Sequence, residues 1–419
     1  MQKIVINGGK PLIGEIEVSG MKNAALPILM GSLLTEDICT IENLPQIDDV
    51  ALTLEILRRM GAKVTEIDAN TVTIDSREAK CGTSPASLAV KMRASYYLVG
   101  VELGRYGYTK VHLPGGCDFG ARPIDQHLKG FEALGADMNI DDEYIVGQVG
   151  SEGLNGANIF FDMITVGGTM NVMLAAVKAN GTTIIDNAAR EPHIVDLANF
   201  LNTCGAKISG AGTDTIKIKG VKKLHGCSYT IIPDMIEAGT YMLAAAATKG
   251  DLLIKNVIPK HLDSISAKLT EMGAEVIEND ESVRVICKGR LRGVNVKAMP
   301  YPGFPTDMQP QICVLLAISS RTATLIDGVY ENRFRYVDQL IAMGADIERQ
   351  SRLLRIWGVE KLKASKLVAT DLRAGAAMVI AALAAEGESE IADIHHIERG
   401  YDNIVGKLRA VGADIEKKY

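Results

Sequence analysis

Aromatic residues are scarce in this sequence: they make up 5% of 419 residues, with a single Trp. The core must therefore be aliphatic and closely packed around the 41 glycines. Excess positive charge is also missing. The formal net charge is −6, which argues against a groove held on phosphates, so no nucleic-acid partner is expected. No apolar run is long enough for a membrane: the stretch Met163–Val177 is too short and carries Gly, Thr and Asn, so no membrane contact is expected. The opening MQKIVINGGKPLIGEIEVSG alternates like strands and lacks the apolar block of a signal peptide. The seven cysteines, at 39, 81, 117, 204, 227, 287 and 313, show no CxxC spacing, and the seven histidines show no ligand spacing. That pattern suggests free thiols in a reducing cytoplasm and no metal site. Apolar residues at 47% and charged residues at 23% are the proportions of an ordinary globular protein, long enough for two or three domains.

What the sequence does have is a repeat. A Gly-Ala pair follows an apolar helical stretch and precedes a strand six times, at Gly61, Gly135, Gly205, Gly273, Gly344 and Gly412. Successive glycines are 74, 70, 68, 71 and 68 residues apart. The spacing predicts helices that each end on a left-handed glycine. Each unit also holds an earlier helix, apolar on most faces, beginning near Asn23, Ala94, Gly168, Ile236, Met308 and Ala374. Such helices belong in cores. The unit reads helix–strand–helix–strand–strand. The sixth copy stops short, and the N-terminal strands KIVI and EIEV are placed to complete it. Three units make a normal domain size. The expected domains are therefore residues 22–230 and residues 1–21 plus 231–419.

Polar residues recur at equivalent points of the repeat. Lys22, Arg93, Thr165, Asp234, Asp307 and Asp371 precede their glycines by 39, 42, 40, 39, 37 and 41 residues, where the first helix of each unit begins. Arg122, Glu191, Arg333 and Arg399 stand before the second helix. Asp and Thr at such points are ordinary N-caps. Cations are not, because a helix N-terminus repels them unless an anion joins. A cleft lined by Lys22, Arg93, Arg122, Arg333, Arg373 and Arg399 would suit a small, highly anionic substrate. The Gly-rich stretch LPGGCDFGARPIDQH, residues 113–127, has the composition of a lid and carries Cys117 near Arg122. Nearby cations would lower that thiol's pKa and fit it for acid or nucleophile chemistry.

These segments resemble a known family. PGGCDFGARPID is similar to the active-site loop of the UDP-N-acetylglucosamine 1-carboxyvinyltransferases. SGMKNAALPIL, MRASYYLVG, TVGGTMN, AAREPHIVDLANFL, YPGFPTDMQ, GVYENRFRYV, TDLRAGAAMVIA and IERGYDNI resemble that family's blocks in the same order. The resemblance implies an α/β enolpyruvyl-transferase fold, a two-domain inside-out α/β barrel. It has six βαβαββ repeats, three per domain, with buried helices. It implies two small-molecule substrates, phosphoenolpyruvate and UDP-N-acetylglucosamine, and no metal or organic cofactor. It implies Cys117 as proton donor to the methylene carbon and Asp307 as base at the sugar hydroxyl, with Asp371 helping in the elimination. Lys22, Arg122 and Arg399 would hold the phosphate and Arg333 and Arg373 the carboxylate of phosphoenolpyruvate, with Asn23 on the sugar. Arg93, the stretch Arg122, Pro123, Ile124, Asp125 and Gln126, then Thr165, Val166 and Gly167, and the backbone of Val329 would contact the nucleotide sugar. The epoxide fosfomycin would alkylate Cys117. Met163, Met235 and His193 depart from residues that some relatives carry near the diphosphate or between the domains.

Three other readings compete. A transferase of the same fold acts on shikimate 3-phosphate but uses no Cys lid loop. A catalytically silent UDP-sugar binder would have no need of Cys117, Asp307 and Asp371. A clamp around nucleic acid is opposed by the net charge.

Overall fold

The computed structural model describes residues 2–82, 86–113, 124–141 and 143–419. The chain divides into two compact units, Gly20–Ile232 and Met1–Ser19 with Pro233–Tyr419. Both are α/β, built from small mixed sheets around apolar helices.

The repeat glycines explain how each copy turns from helix to sheet. Gly61, Gly135, Gly205, Gly273, Gly344 and Gly412 all adopt φ between 91° and 102°, a region costly to any residue with a Cβ. In five of them the Ala that follows then donates back into the helix, as from Ala62 N to Leu57 O at 3.0 Å and from Ala206 N to Leu201 O at 2.9 Å. The chain leaves directly into an antiparallel pair, such as Lys63–Glu66 with Val72–Asp75.

Among the described residues five of the six sheets have four strands; three run antiparallel and the fourth, which comes from another stretch of the chain, pairs parallel. Among the described residues the sheet of Tyr108–His112, Ala136–Asp141 and Tyr144–Val149 has three. In the last sheet the N-terminal strand Lys3–Gly8 lies between Gly387–Ala392 and Asp414–Lys418, antiparallel to both. The first strand of the chain thus completes its sixth repeat.

The apolar helices lie where their composition sends them. Met235–Ala247 and Gln309–Ala317 are buried along their whole length, and Leu372–Ala384 is buried from Arg373 to Leu383. These three pack against one another inside their unit. The helices Lys22–Gly31, Tyr97–Tyr106 and Val166–Ala176 fill the core of the other. The second helices of the repeats are amphipathic and lie outside them; Asp48–Arg59 and Asp263–Met272 bury one face only. Among the described residues no helix is long and apolar enough to cross a membrane.

Candidate active site

In the unit of residues 1–19 and 233–419, three sequence-predicted residues form one cluster. Asp307 sits in the short turn Thr306–Met308 that leads into a core helix. Arg373 is in the first turn of the helix Leu372–Ala384, and Arg333 lies in the loop after the strand Ala323–Asp327. Arg333 Nη2 donates to Asp307 Oδ1 at 2.7 Å, while Arg373 Nε and Nη2 donate to Oδ2 at 3.2 and 3.0 Å. The side chains of Arg333 and Arg373 are 3% and 4% exposed, and that of Asp307 is 28% exposed. Only the carboxylate reaches solvent to any extent.

Burial pushes the Asp307 carboxyl up, but the Arg373 and Arg333 guanidiniums outweigh it and hold the group well below the usual carboxylate range. Asp307 is therefore ionised throughout the physiological pH range. Each arginine is fixed from behind. Arg333 Nη1 donates to Thr306 Oγ1 at 2.9 Å, and Thr306 Oγ1 donates to Asp327 Oδ2 at 2.9 Å. Asp327 Oδ1 accepts from the N–H groups of Val329 and Tyr330, each at 2.9 Å, and so shapes the loop that carries Arg333. The Arg333 guanidinium stacks over Tyr330 at 5.2 Å, and that of Arg373 over Tyr401 at 5.6 Å. Arg373 Nη1 is buried and has no hydrogen-bond partner among the described residues. It is a strong donor available to a further anion.

Asp371 caps the helix of Arg373. Its Oδ1 accepts from the N–H groups of Arg373 and Ala374, both at 2.9 Å, which sets the direction in which Arg373 leaves the helix. Asp234 caps the helix Met235–Ala247 in the same way. Arg399 follows the short helix His395–Glu398 and is partly buried.

In the unit Gly20–Ile232, Lys22 opens the first core helix and is buried. Its Nζ lies 2.7 Å from Asp49 Oδ2, with side-chain exposures of 10% and 4%. Asn23 beside it is partly exposed. Arg93 opens a single helical turn and lies over the Tyr96 ring at 5.4 Å. Tyr96 in turn meets His127 edge-on at 4.7 Å. Burial, then the Arg93 charge, pushes His127 down to about 3, so its imidazole is neutral and accepts from Asn171 Nδ2 at 3.1 Å. Thr165 caps the helix Val166–Ala176 through Gly168 N, at 3.1 Å, leaving Val166 and Gly167 partly exposed in its first turn. Gln126 Nε2 donates to Asp125 Oδ2 at 2.8 Å and to Asp162 Oδ2 at 3.1 Å, anchoring the start of the helix Asp125–Ala133 just after Ile124. Cys117, Arg122 and Pro123 lie outside the described residues.

The structure adds two things the sequence did not show. Lys22, Arg333 and Arg373 each hold an internal carboxylate. Desolvated guanidinium and ammonium groups require it. The partners Asp49, Thr306 and Asp327 were not foreseen. The thiols are also not scattered: Cys39, Cys204 and Cys227 meet within 4.8 Å, although Cys39, Cys204, Cys287 and Cys313 are buried, as small apolar residues are. Of the departing residues, Met163 is 57% exposed, whereas Met235 and His193 are buried.

The whole architecture matches solved enolpyruvyl transferases. The enolpyruvyl transferase NikO from Streptomyces tendae superposes with a TM-score of 0.89 at 26% identity, covering 100% of this chain and 99% of that one. An EPSP synthase from Acinetobacter baumannii shares the fold at a TM-score of 0.78 and 20% identity, covering 100% of both chains. Residues 6–408 match the family model of EPSP synthase (3-phosphoshikimate 1-carboxyvinyltransferase), and the chain belongs to that family. It is 54% identical over 415 residues to UDP-N-acetylglucosamine 1-carboxyvinyltransferase 3 of Caldanaerobacter subterraneus subsp. tengcongensis, covering 99% of each chain. It is 53% identical over 419 residues to UDP-N-acetylglucosamine 1-carboxyvinyltransferase 2 of Clostridium acetobutylicum, covering 100% of each.

Proposed function

We propose that the chain transfers the enolpyruvyl group of phosphoenolpyruvate to the 3-hydroxyl of UDP-N-acetylglucosamine and releases phosphate, the committed step of peptidoglycan synthesis. The reading is supported by full-length identity above 50% to proteins named for that activity. The observation that carries the chemistry is the carboxylate of Asp307 held between two buried guanidiniums, with Arg373 Nη1 unused.

That clamp suits a substrate carboxylate. When phosphoenolpyruvate brings its own carboxylate to Arg333 and Arg373, the guanidiniums are shared and Asp307 loses part of the field that holds its pKa down. Its basicity rises when substrate is present. Asp307 then takes the proton of the sugar hydroxyl while the oxygen bonds to the enol carbon, and Cys117 gives a proton to the methylene carbon. In the second step that carbon loses a proton again, phosphate departs with the bonding electrons and the enol ether remains. Lys22, Arg122 and Arg399 hold the leaving phosphate. Asp371 aids the proton removal through the helix start it caps. Asn23, Arg93, Arg122, Pro123, Ile124, Asp125, Gln126, Thr165, Val166, Gly167 and Val329 line the nucleotide sugar. The Val329 N–H is committed to Asp327, so its carbonyl is the group that faces the sugar nucleotide. Fosfomycin reacts at Cys117. The protein works in the cytoplasm, and its sheets close as two inside-out barrels of three repeats each.

A phosphate-release assay tests the reading. Release from phosphoenolpyruvate should require UDP-N-acetylglucosamine. Release with shikimate 3-phosphate in its place would assign the other transferase activity, and none with either would leave a silent UDP-sugar binder.

A further inference from the structure

Three of the cysteines meet inside the unit Gly20–Ile232. Cys39 lies on the strand Ile38–Glu42, Cys204 ends the helix Pro192–Thr203, and Cys227 precedes the strand Ser228–Thr230. Their Sγ atoms all lie within 4.8 Å of one another, with Cys204 and Cys227 at 3.4 Å. Cys39 and Cys204 are fully buried and Cys227 is half-buried.

The repeat shows that packing alone does not call for sulfur here. Cys204 occupies the position just before the repeat glycine, whose carbonyl accepts from the chain about twenty residues on. The pairs are Cys204 O with His225 N, Leu134 O with Asn155 N, Met272 O with Arg292 N and Met343 O with Lys363 N. The antiparallel registers align Cys39 with Thr183, Ala323 and Ser389, opposite Ile74, Ile218, Ile356 and Ile6, and the parallel registers then align Cys227 with Ala157, Val294 and Ser365. Three equivalent junctions are therefore Thr183–Leu134–Ala157, Ala323–Met272–Val294 and Ser389–Met343–Ser365, none with a thiol. The junction that joins the first repeat to the third has a thiol at all three positions.

We propose that Cys39, Cys204 and Cys227 bind one thiophilic closed-shell metal cation, with monovalent copper matching the three-coordinate site. At a metal–sulfur distance of about 2.3 Å, three sulfurs around one ion lie about 4 Å apart, which the observed separations bracket. Sulfur-only ligands select soft ions. No imidazole or carboxylate joins the three among the described residues, so a divalent zinc ion would have to complete its tetrahedron with water on the Cys227 side. The proton displaced from Cys39 has a defined position. The Thr35 hydroxyl donates to Ser32 O at 2.8 Å, so the Cys39 thiol donates to Thr35 Oγ1 at 3.6 Å. Binding exchanges thiol protons for the cation and ties the first repeat to the third.

The test is anaerobic titration of the reduced full-length chain with Cu(I) against a chromophoric copper chelator, and separately with Zn(II). One equivalent of Cu(I) should be retained per chain, with three sulfur neighbours by X-ray absorption, and the thermal midpoint should rise on binding. Cys227→Ser should weaken retention at least tenfold. So should Cys204→Leu, which places at this junction the residue found at Leu134 and so keeps the packing. Cys81→Ser, outside the cluster, should bind as the parent does. Stoichiometric Zn(II) binding lost in the same two variants would support the site with water as fourth ligand. Neither metal retained, or retention unchanged in Cys227→Ser and Cys204→Leu, would overturn the proposal.

Discussion

Removing the Asp307 carboxylate should expose how much of the site is held together by it. In Asp307→Ala the side chains of Arg333 and Arg373, at 3% and 4% exposure, keep their charges but lose their common counter-ion. Deleting one partner of a buried ion pair costs about 3–5 kcal/mol. Because Asp307 itself is 28% exposed, the lower end, about 3 kcal/mol, is expected. With a urea slope of about 2–3 kcal/mol per molar, the midpoint of the affected unit should drop by roughly 1 to 1.5 M. Added phosphate or a small carboxylate should restore part of the loss, since an anion bound between the arginines replaces the missing one. Asp307→Asn, which keeps an acceptor but no charge, should fall between. In phosphate release, turnover of Asp307→Ala should drop about 10²–10⁴-fold while nucleotide-sugar binding falls far less. A stability loss below about 1 kcal/mol with no recovery by anions would refute the clamp, and equal losses in turnover and binding would reduce Asp307 to a binding group.

Other outcomes follow from other parts of the molecule. Burial raises the Asp196 carboxyl to about 6 from 3.8, against the hydrogen bond from Tyr229, so the folded chain binds its proton more tightly than the unfolded one. Stability should therefore fall by up to about 3 kcal/mol as pH rises from 4 to 6, and Asp196→Asn should remove that component of the urea–pH profile. Gly344→Ala has open space for a Cβ but φ of 94°, so it should cost about 1–2 kcal/mol from backbone strain alone, read as a lower urea midpoint. Peptide mapping after limited fosfomycin treatment should find the label on Cys117. Burial first, and then Glu102, push the Cys81 thiol up to about 12, and burial does the same to Cys313, so neither offers much thiolate. Label mainly on Cys81 or Cys227, or full activity in Cys117→Ser, would remove Cys117 from the chemistry.

The parts of this molecule that were legible in its sequence obey local rules. Six left-handed glycines had to be glycines, and helices apolar on every face had to be internal, so both announced themselves at fixed spacing. The core helices start within a few residues of the expected points; Arg93 and Thr306 begin short turns that the apolar pattern alone did not separate from the helices that follow. The cations of the site were legible as anomalies at helix starts. Their partners were not, because Arg373 finds Asp307 66 residues away and Lys22 finds Asp49 on a different helix, and nothing local in the sequence encodes either pairing. The same holds for Cys39, Cys204 and Cys227, which satisfy no ligand-spacing rule because the strand register, not the sequence, brings them together. Internal comparison of the repeats was the one available signal, since thiols stand where sister copies carry Leu, Met, Ala, Val, Ser or Thr.

The strand Lys3–Gly8 also sets a timetable. Ile4 pairs with Lys417, so this strand is sealed on that side only by one made 413 residues later. At about 5–20 residues per second, that interval is roughly 20 to 80 seconds. The unit Gly20–Ile232 is contiguous and is made long before, whereas its companion must carry an apolar strand with both edges unpaired until Gly387–Ala392 is made and one edge open until Asp414–Lys418. A chain cut short between residues 232 and 387 would hold one finished unit and one that cannot close, and that unfinished edge is what chaperones and proteases would meet first.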